Sequence, residues 1–359
     1  MTRAWVEVDL GALRRNGAAL AARAGVPLVP MVKADGYGIG GLRAALALDS
    51  LNPWGYGVAT VTEGDELRRG GITRPIIVFT PILRTEIDAL RRADLTPALG
   101  DPAVIESWVR TGRPWQLQVD TGMSRAGMPW HQVGEHRALF ERAAPQGVFT
   151  HFHSAQLDDG SRDVQERRFA EVLAALPQRP FMVHCENGPA VERRSPSPWT
   201  VVRPGIFLYG VPGFEGGAIR PEPVASLRAR IVELRTVADG ETVSYDATWK
   251  AVGPRRIATV PVGYADGYRR GLSNRGSALV GGVRVPVAGR VTMDMTMFDV
   301  TGTDAALGDL VTLLGEDAGD VITVGELAQA SDISPYEILT GLRLRLPRRY
   351  RDAVAGGRA

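Results

Sequence analysis

Apolar residues in this chain fall into short runs, and amphipathic stretches fill the intervals between them over the first two thirds of its length. VPLVPMVKA, WGYGVAT, PIIVFT, LTPALG, WQLQVDT, GVFTHFHSA, PFMVHCENG and VVRPGIFLYG read as strands. Most are separated by segments with helical spacing: GLRAALALDS, TEGDELRRGG, RTEIDALRRAD, AVIESWVRTG, HQVGEHRALFERAA and VQERRFAEVLAAL. Eight strands with intervening helices over about 200 residues predict an α/β fold, a (β/α)8 TIM-like barrel. The alternative is an open doubly wound sheet. WVEVDL, ahead of the first long helix, is left over from the barrel count.

The pattern changes near Pro223. From there SLRARIVELRTV alternates apolar and polar positions with period two, the mark of half-buried antiparallel strands. IATVPVGYADG, SALVGGVRVPVAGRVTMDMTMFDV and DLVTLLG continue it with glycine-rich turns, and TVGELAQAS and PYEILTGLRLRL form a short helical tail. The reading is a barrel over 1–223 and a mainly antiparallel β domain over 224–359, with residues 3–9 open to pairing with the second domain.

The 359 residues are 44% hydrophobic and 23% charged, which excludes a disordered or fibrous chain. Basic and acidic residues number 42 and 40, with no block of Lys/Arg, so no nucleic-acid partner is expected. No apolar run approaches the roughly 18 to 20 residues of a membrane span. Glu7 and Asp9 stand where a signal peptide needs an apolar core, so a cytoplasmic protein is expected. The single cysteine, Cys185, excludes an intrachain disulfide and a Cys-rich metal site. No HExxH spacing occurs either, so no metal is expected. No GxSxG elbow supports Ser/His/Asp catalysis.

All but two of the basic residues are arginine; the lysines are Lys33 and Lys250. Lysine can shed its proton and form a Schiff base, which arginine cannot do. Lys33 directly follows the first apolar run, whereas Lys250 lies beside a turn signal and two arginines. In a barrel, polar residues at the C-terminal strand ends are the site candidates. Besides Lys33 and Tyr37, these ends carry Asp120 and Arg125, His151 and His153, His184 and Asn187, and Arg203. A lysine facing such residues suits covalent chemistry on a carbonyl. That carbonyl belongs either to the substrate, as in a Schiff-base aldolase, or to pyridoxal 5'-phosphate. The second choice needs a phosphate cradle and a partner for the pyridine nitrogen. RPGIFLYG offers backbone N–H groups around Gly205 and Ile206 for the one and Arg203 for the other.

VKADGYGIG resembles the lysine signature of the fold-type III pyridoxal-phosphate enzymes, in particular the alanine racemases. DTGMSRAGM, FTHFHSAQ, HCENG, RPGIFLYG, VSYDATW, PVGYADGYRRGLSNRG and GRVTMDMTM resemble motifs of the same family, in the expected order and across nearly the whole chain. The resemblance implies a homodimeric, cytoplasmic, pyridoxal-phosphate-dependent isomerase that interconverts L- and D-alanine and supplies D-alanine for peptidoglycan. By matching position, Lys33 binds the cofactor and is one base. Tyr245, reaching in from the partner of a head-to-tail dimer, is the other. Arg203 meets the pyridine nitrogen, and Tyr37, Gly188, Gly205 and Ile206 fall at phosphate positions beside Asn187. His151 lies against the cofactor, and Arg125 lies near the substrate carboxylate. Tyr264, Met293 and Asp294 match the substrate region supplied across the dimer.

Four positions depart from the family pattern. Gln118 stands where many members carry a carbamylated lysine that orients the arginine, so a chloride or another partner is expected there. Gly188 replaces a common serine, and Thr292 a frequent cysteine. Leu344 occupies a place where some members have a phosphate-binding tyrosine. A racemase of broader or serine preference is therefore the alternative function. A decarboxylase of this fold type needs a cysteine motif in its C-terminal half, and Cys185 is the only cysteine. A non-catalytic pyridoxal-phosphate-binding protein would resemble the barrel alone.

Overall fold

The computed structural model describes residues 2–351. Six strands, Tyr56–Val58, Ile76–Val78, Thr96–Leu99, Gln116–Asp120, Gly147–Phe149 and Met182–His184, pair side by side in parallel. The first and last strand candidates close the ring through single parallel bridges, Met31 with Gly57, Leu28 with Val202 and Asn187 with Arg203. The Val29 N–H donates to the Val202 carbonyl at 2.8 Å, and the Arg203 N–H to that of Glu186 at 2.8 Å. The TIM-like barrel expected from the sequence is therefore present, with six paired strands and two segments joined by single bridges; Ile206–Tyr209 of the last strand candidate winds as a 3-10 turn instead. Its seam is held by isolated bridges because Pro27, Pro30 and Pro204 have no N–H to give a ladder. Most of the strands are apolar, as parallel strands covered on both faces tend to be; Gln116–Asp120 is an exception and buries Gln116 and Gln118.

The helices carry the start signals that the sequence contains. Asp9 caps Leu10–Ala24 by accepting the Ala12 N–H at 2.8 Å, and Gly25 closes that helix in the left-handed region. Thr60 and Glu63 form a capping box on Val61–Arg69. Two expected helices begin with 3-10 winding: Arg84–Glu86 precedes the α-helix Ile87–Arg92, and Trp130–His136 precedes Arg137–Arg142. Gly134 within that stretch is a poor α-helix former, and the tighter winding is favoured only locally.

Beyond the barrel, Ala225–Arg230 buries every second residue, as the period-two pattern requires. It lies in a sheet ordered Val283–Pro286, Ser277–Val280, Leu310–Asp317, Ala225–Arg230, Ala4–Asp9, Arg348–Arg351. The leftover N-terminal strand thus pairs antiparallel with Ala225–Arg230 and parallel with the end of the described chain. A second sheet joins Glu233–Val237, Arg255–Val260 and Thr296–Asp299. One apolar core runs from the barrel into this region through Val6, Val8, Leu13 and Leu227. The helix Pro335–Thr340 then returns to the barrel mouth beside Gly38. A side chain on Gly38 would meet the Leu339 carbonyl oxygen at 2.3 Å, and its φ of +87° is also one that glycine tolerates best. Among the described residues no helix is long and apolar enough to cross a membrane.

Candidate active site

The C-terminal strand ends enclose a cavity of about 360 Å³. Its walls include Lys33, Tyr37, Gln118, Arg125, His151, Asn187, Gly188, Arg203, Gly205, Ile206 and Tyr336, with Met31, Phe79 and Phe149 on the apolar side.

Lys33 opens a turn whose backbone is left-handed at four consecutive residues: Ala34 (φ 52°), Asp35 (φ 53°), Gly36 (φ 59°) and Tyr37 (φ 55°). For each non-glycine residue this conformation costs roughly 1–2 kcal/mol. Hydrogen bonds from several elements offset it. The Gly41 N–H donates to Asp35 Oδ1 at 2.8 Å, and the Ala34 N–H to Glu63 Oε1 at 2.8 Å. Arg348 donates to the Gly38 carbonyl at 2.8 Å, and the Tyr350 hydroxyl to that of Ile39 at 2.9 Å. Such stored strain is characteristic of functional turns. Burial, and after it the charge of Arg125, lowers the Lys33 pKa, while Glu63 acts in the opposite direction. The amine is thereby nearer to its neutral, nucleophilic form than an exposed lysine.

The Tyr37 ring stacks on Tyr209 with centroids 4.5 Å apart, and Tyr336 packs on it at 6.1 Å. A Cβ on Gly205 would lie 2.5 Å from the Tyr37 hydroxyl, so glycine lets this phenol reach the backbone there. The N–H groups of Gly205 and Ile206 donate to nothing else among the described residues. Asn187 caps the turn Gly188–Arg193 by accepting the Ala190 N–H at 3.1 Å, which fixes Gly188 at the cavity wall. Phenols and open backbone donors beside a small cavity fit a phosphate group.

Arg203 is 4% exposed and its terminal nitrogens are occupied. Nη1 donates to His184 Nδ1 at 2.7 Å and to the His184 carbonyl at 2.8 Å. Nη2 donates to the Thr150 carbonyl at 2.8 Å. Nε–H has no partner among the described residues and belongs to a side chain on the cavity wall. It is a donor available to a ring nitrogen. Burial brings the Arg203 pKa down to about 10, with Cys185 and Glu186 opposing, so the guanidinium still keeps its proton at neutral pH. His184 is neutral, driven by burial and then by Arg203. Accepting at Nδ1 leaves its Nε2–H to donate to Gln116 Oε1 at 3.3 Å. His151 is likewise held neutral, at about 3, by burial and the charges of Arg203, Arg125 and Lys33.

Asp120 accepts the N–H groups of Gly122 at 2.8 Å and Ser124 at 3.1 Å, and so ties down the loop that carries Arg125. The Arg125 guanidinium makes no hydrogen bond or ion pair among the described residues. Gln118 is buried beside it and donates to the Ala126 carbonyl at 3.4 Å. His153 is exposed and bonded to Ser154, outside the cavity.

Four sequence candidates lie elsewhere. Tyr245 is 70% exposed, on a turn tied by the Ser244 hydroxyl to the Arg290 carbonyl and by an Arg290–Asp246 ion pair. It borders a groove with Thr292 and Met295. Tyr264 and Met293 are also exposed, and the Tyr264 N–H donates to the Thr292 carbonyl at 3.0 Å. The Asp294 carboxylate is already bound by Arg345 at 2.7 Å. None of the four lines the barrel-mouth cavity of its own chain. Leu344 is 83% exposed and outside the cavity as well; the phenol that the tail brings to the mouth is Tyr336. Gly188 has open space for a small side chain, its nearest contact being Phe207 Cβ at 3.6 Å.

The family models described as the alanine racemase N-terminal and C-terminal domains match residues 8–212 and 224–350. The chain belongs to the alanine racemase family. It is 40% identical over 354 residues to alanine racemase from Deinococcus radiodurans, which spans 97% of this chain and 99% of that one. It is 39% identical to alanine racemase from a Geobacter species, over 96% and 97% of the two chains. Among solved structures, alanine racemase from Bartonella henselae with covalently bound pyridoxal phosphate superposes with a TM-score of 0.91 at 27% identity, over 98% of this chain and all of that one. Alanine racemase from Bacillus anthracis with bound L-Ala-P gives 0.91 at 30% identity, over 98% and 96%. Two features of the cavity are not visible in the sequence: Tyr336 on its wall and the left-handed turn after Lys33. PYEIL reads only as a helix, and nothing in it shows which residue will face the barrel.

Proposed function

We propose that the chain interconverts L- and D-alanine with pyridoxal 5'-phosphate at the barrel mouth, using Lys33 and Tyr245 of the partner subunit as the two bases. The observation that carries this reading is the convergence of a depressed-pKa lysine, a buried arginine with one spare N–H and open backbone donors on a single cavity. Lys33 would join the cofactor covalently through Nζ. Arg203 Nε would hold the pyridine nitrogen. Tyr37, Gly188, Gly205 and Ile206 would hold the phosphate, with Asn187 fixing Gly188 and His151 lying against the ring. Tyr336 adds a second phenol at that end. The chemistry supplied by the bound cofactor is delocalisation of the electron pair left when Cα–H breaks.

The residues divide the rest of the work. Arg125 faces the substrate carboxylate as an uncommitted cation. Lys33 handles the proton on one face of Cα, and Tyr245 on the other. Two fixed bases need no group to swing across. Because Tyr245, Tyr264, Met293 and Asp294 are absent from the cavity of their own chain, a head-to-tail homodimer that exchanges these surfaces completes the site. The exposure of Tyr245, Met293 and Met295 supports such an interface. With its carboxylate committed to Arg345, Asp294 acts by holding the 292–295 turn, and Met293 meets the substrate region. The same reading divides the chain near residue 223, places the enzyme in the cytoplasm and assigns its D-alanine to peptidoglycan.

The test is chiral analysis of amino acids incubated with purified protein and pyridoxal 5'-phosphate. L-alanine is expected to racemise fastest in a panel containing serine and larger amino acids. Faster conversion of serine would support the alternative specificity, and no conversion of any member would contradict a racemase.

A further inference from the structure

Glu63 links two barrel strand ends. Its Oε1 accepts the N–H of Ala34, the residue after Lys33, at 2.8 Å. Its Oε2 accepts the N–H groups of Ala59 at 2.7 Å and Thr60 at 3.3 Å, which follow the second strand Tyr56–Val58. Ala34 is solvent-exposed and begins the left-handed turn. An L-residue leaves that conformation readily unless its surroundings hold it. Here the neighbouring strand end does so, through one carboxylate.

We propose that Glu63 is a positioning residue for Lys33: its two oxygens strap the turn after Lys33 to the next strand and so hold the amine at the cavity wall. The inference rests on the reading of Lys33 as the cofactor-binding base. Glu63 is also half of a capping box, since its own N–H donates to Thr60 Oγ1 at 3.2 Å. The two roles are separable. The oxygen that reaches Ala34 is not the one that reaches Thr60. Glu63→Gln keeps the size of the side chain but leaves a single acceptor oxygen, so both strand ends cannot be held. Thr60→Ala removes the capping hydroxyl and leaves the strap intact.

The full chain suits the test because it has two lysines. After 13C reductive methylation of the cofactor-free protein, Lys33 and Lys250 give separate signals, assigned with Lys250→Arg, and the Lys33 signal reports its titration. In parallel, pyridoxal 5'-phosphate is added to unmethylated protein, trapped with borohydride and located by peptide mass spectrometry. Glu63→Gln is expected to slow capture at Lys33 by roughly tenfold or more, the scale of a misplaced reacting group. It also removes the charge that opposes burial, so Lys33 should titrate at lower pH. Thr60→Ala is expected to lower the melting temperature, as a lost cap does, and to change capture by less than about twofold. In the unmutated protein, the Ala34 amide should exchange slowly despite its exposure; this arm holds even if the variants fold poorly. Rapid Ala34 exchange, unchanged capture in Glu63→Gln, or equal losses in the two variants would overturn the proposal. If the unmutated protein captures no cofactor at Lys33, the parent reading fails, and the exchange and titration arms still decide the role of Glu63.

Discussion

Tyr245→Phe is expected to slow exchange of the α-proton of L-alanine with solvent by about 10²- to 10⁴-fold in a single turnover, the range for loss of a general base, and to affect D-alanine far less. The substitution keeps the ring and removes only the hydroxyl. Tyr245 is largely exposed in its own chain and sits on a turn fixed by Ser244, Arg290 and Asp246, so the loss of one hydroxyl should leave the fold intact. Single-turnover exchange isolates proton removal from the return step, which needs a donor on the opposite face. If L-alanine exchanges at the unmutated rate, the base is another group, with Tyr264 the next to examine.

Lys33→Arg should abolish racemisation of both enantiomers and leave no borohydride-trapped cofactor on the protein. Arginine preserves the positive charge and much of the length of lysine, but it stays protonated and cannot become an amine nucleophile. The substitution therefore separates chemistry from electrostatics, which Lys33→Ala does not. Non-covalent cofactor binding should survive in part, because Tyr37, the backbone of Gly205 and Ile206, and Arg203 are untouched. Trapped cofactor at unmutated levels would place the covalent link elsewhere, with Lys250 as the remaining lysine.

Much of this was legible in the sequence because burial leaves a strong compositional mark. Most of the parallel strands are apolar on both faces, and the strands after Pro223 alternate, so two architectures could be told apart from pattern alone. Lys33 stood out because the chain uses arginine almost everywhere else. What remained illegible was tertiary. The left-handed turn contains Ala34, Asp35 and Tyr37, residues with no local need for positive φ; Glu63 accepts a hydrogen bond from that region and Arg348 and Tyr350 donate to it, and all three are distant in sequence. Tyr336 enters the cavity because its helix docks against Gly38, a contact that the tail sequence does not encode locally. Leu344, in contrast, is two residues from the well-packed Leu342 and Leu346, yet it points outward. The Trp130–His136 stretch reads as helix by periodicity, which does not distinguish α from 3-10 winding around a glycine.

The proposed site takes Lys33 from one subunit and Tyr245 from the other. Mixing inactive Lys33→Arg protein with Tyr245→Phe protein, under conditions that exchange subunits, tests it most directly. Hybrid dimers then hold one site with both bases and one with neither. Random exchange in a symmetric dimer should restore about a quarter of the unmutated activity. Demonstrated subunit exchange with no gain in activity would contradict a site shared between subunits.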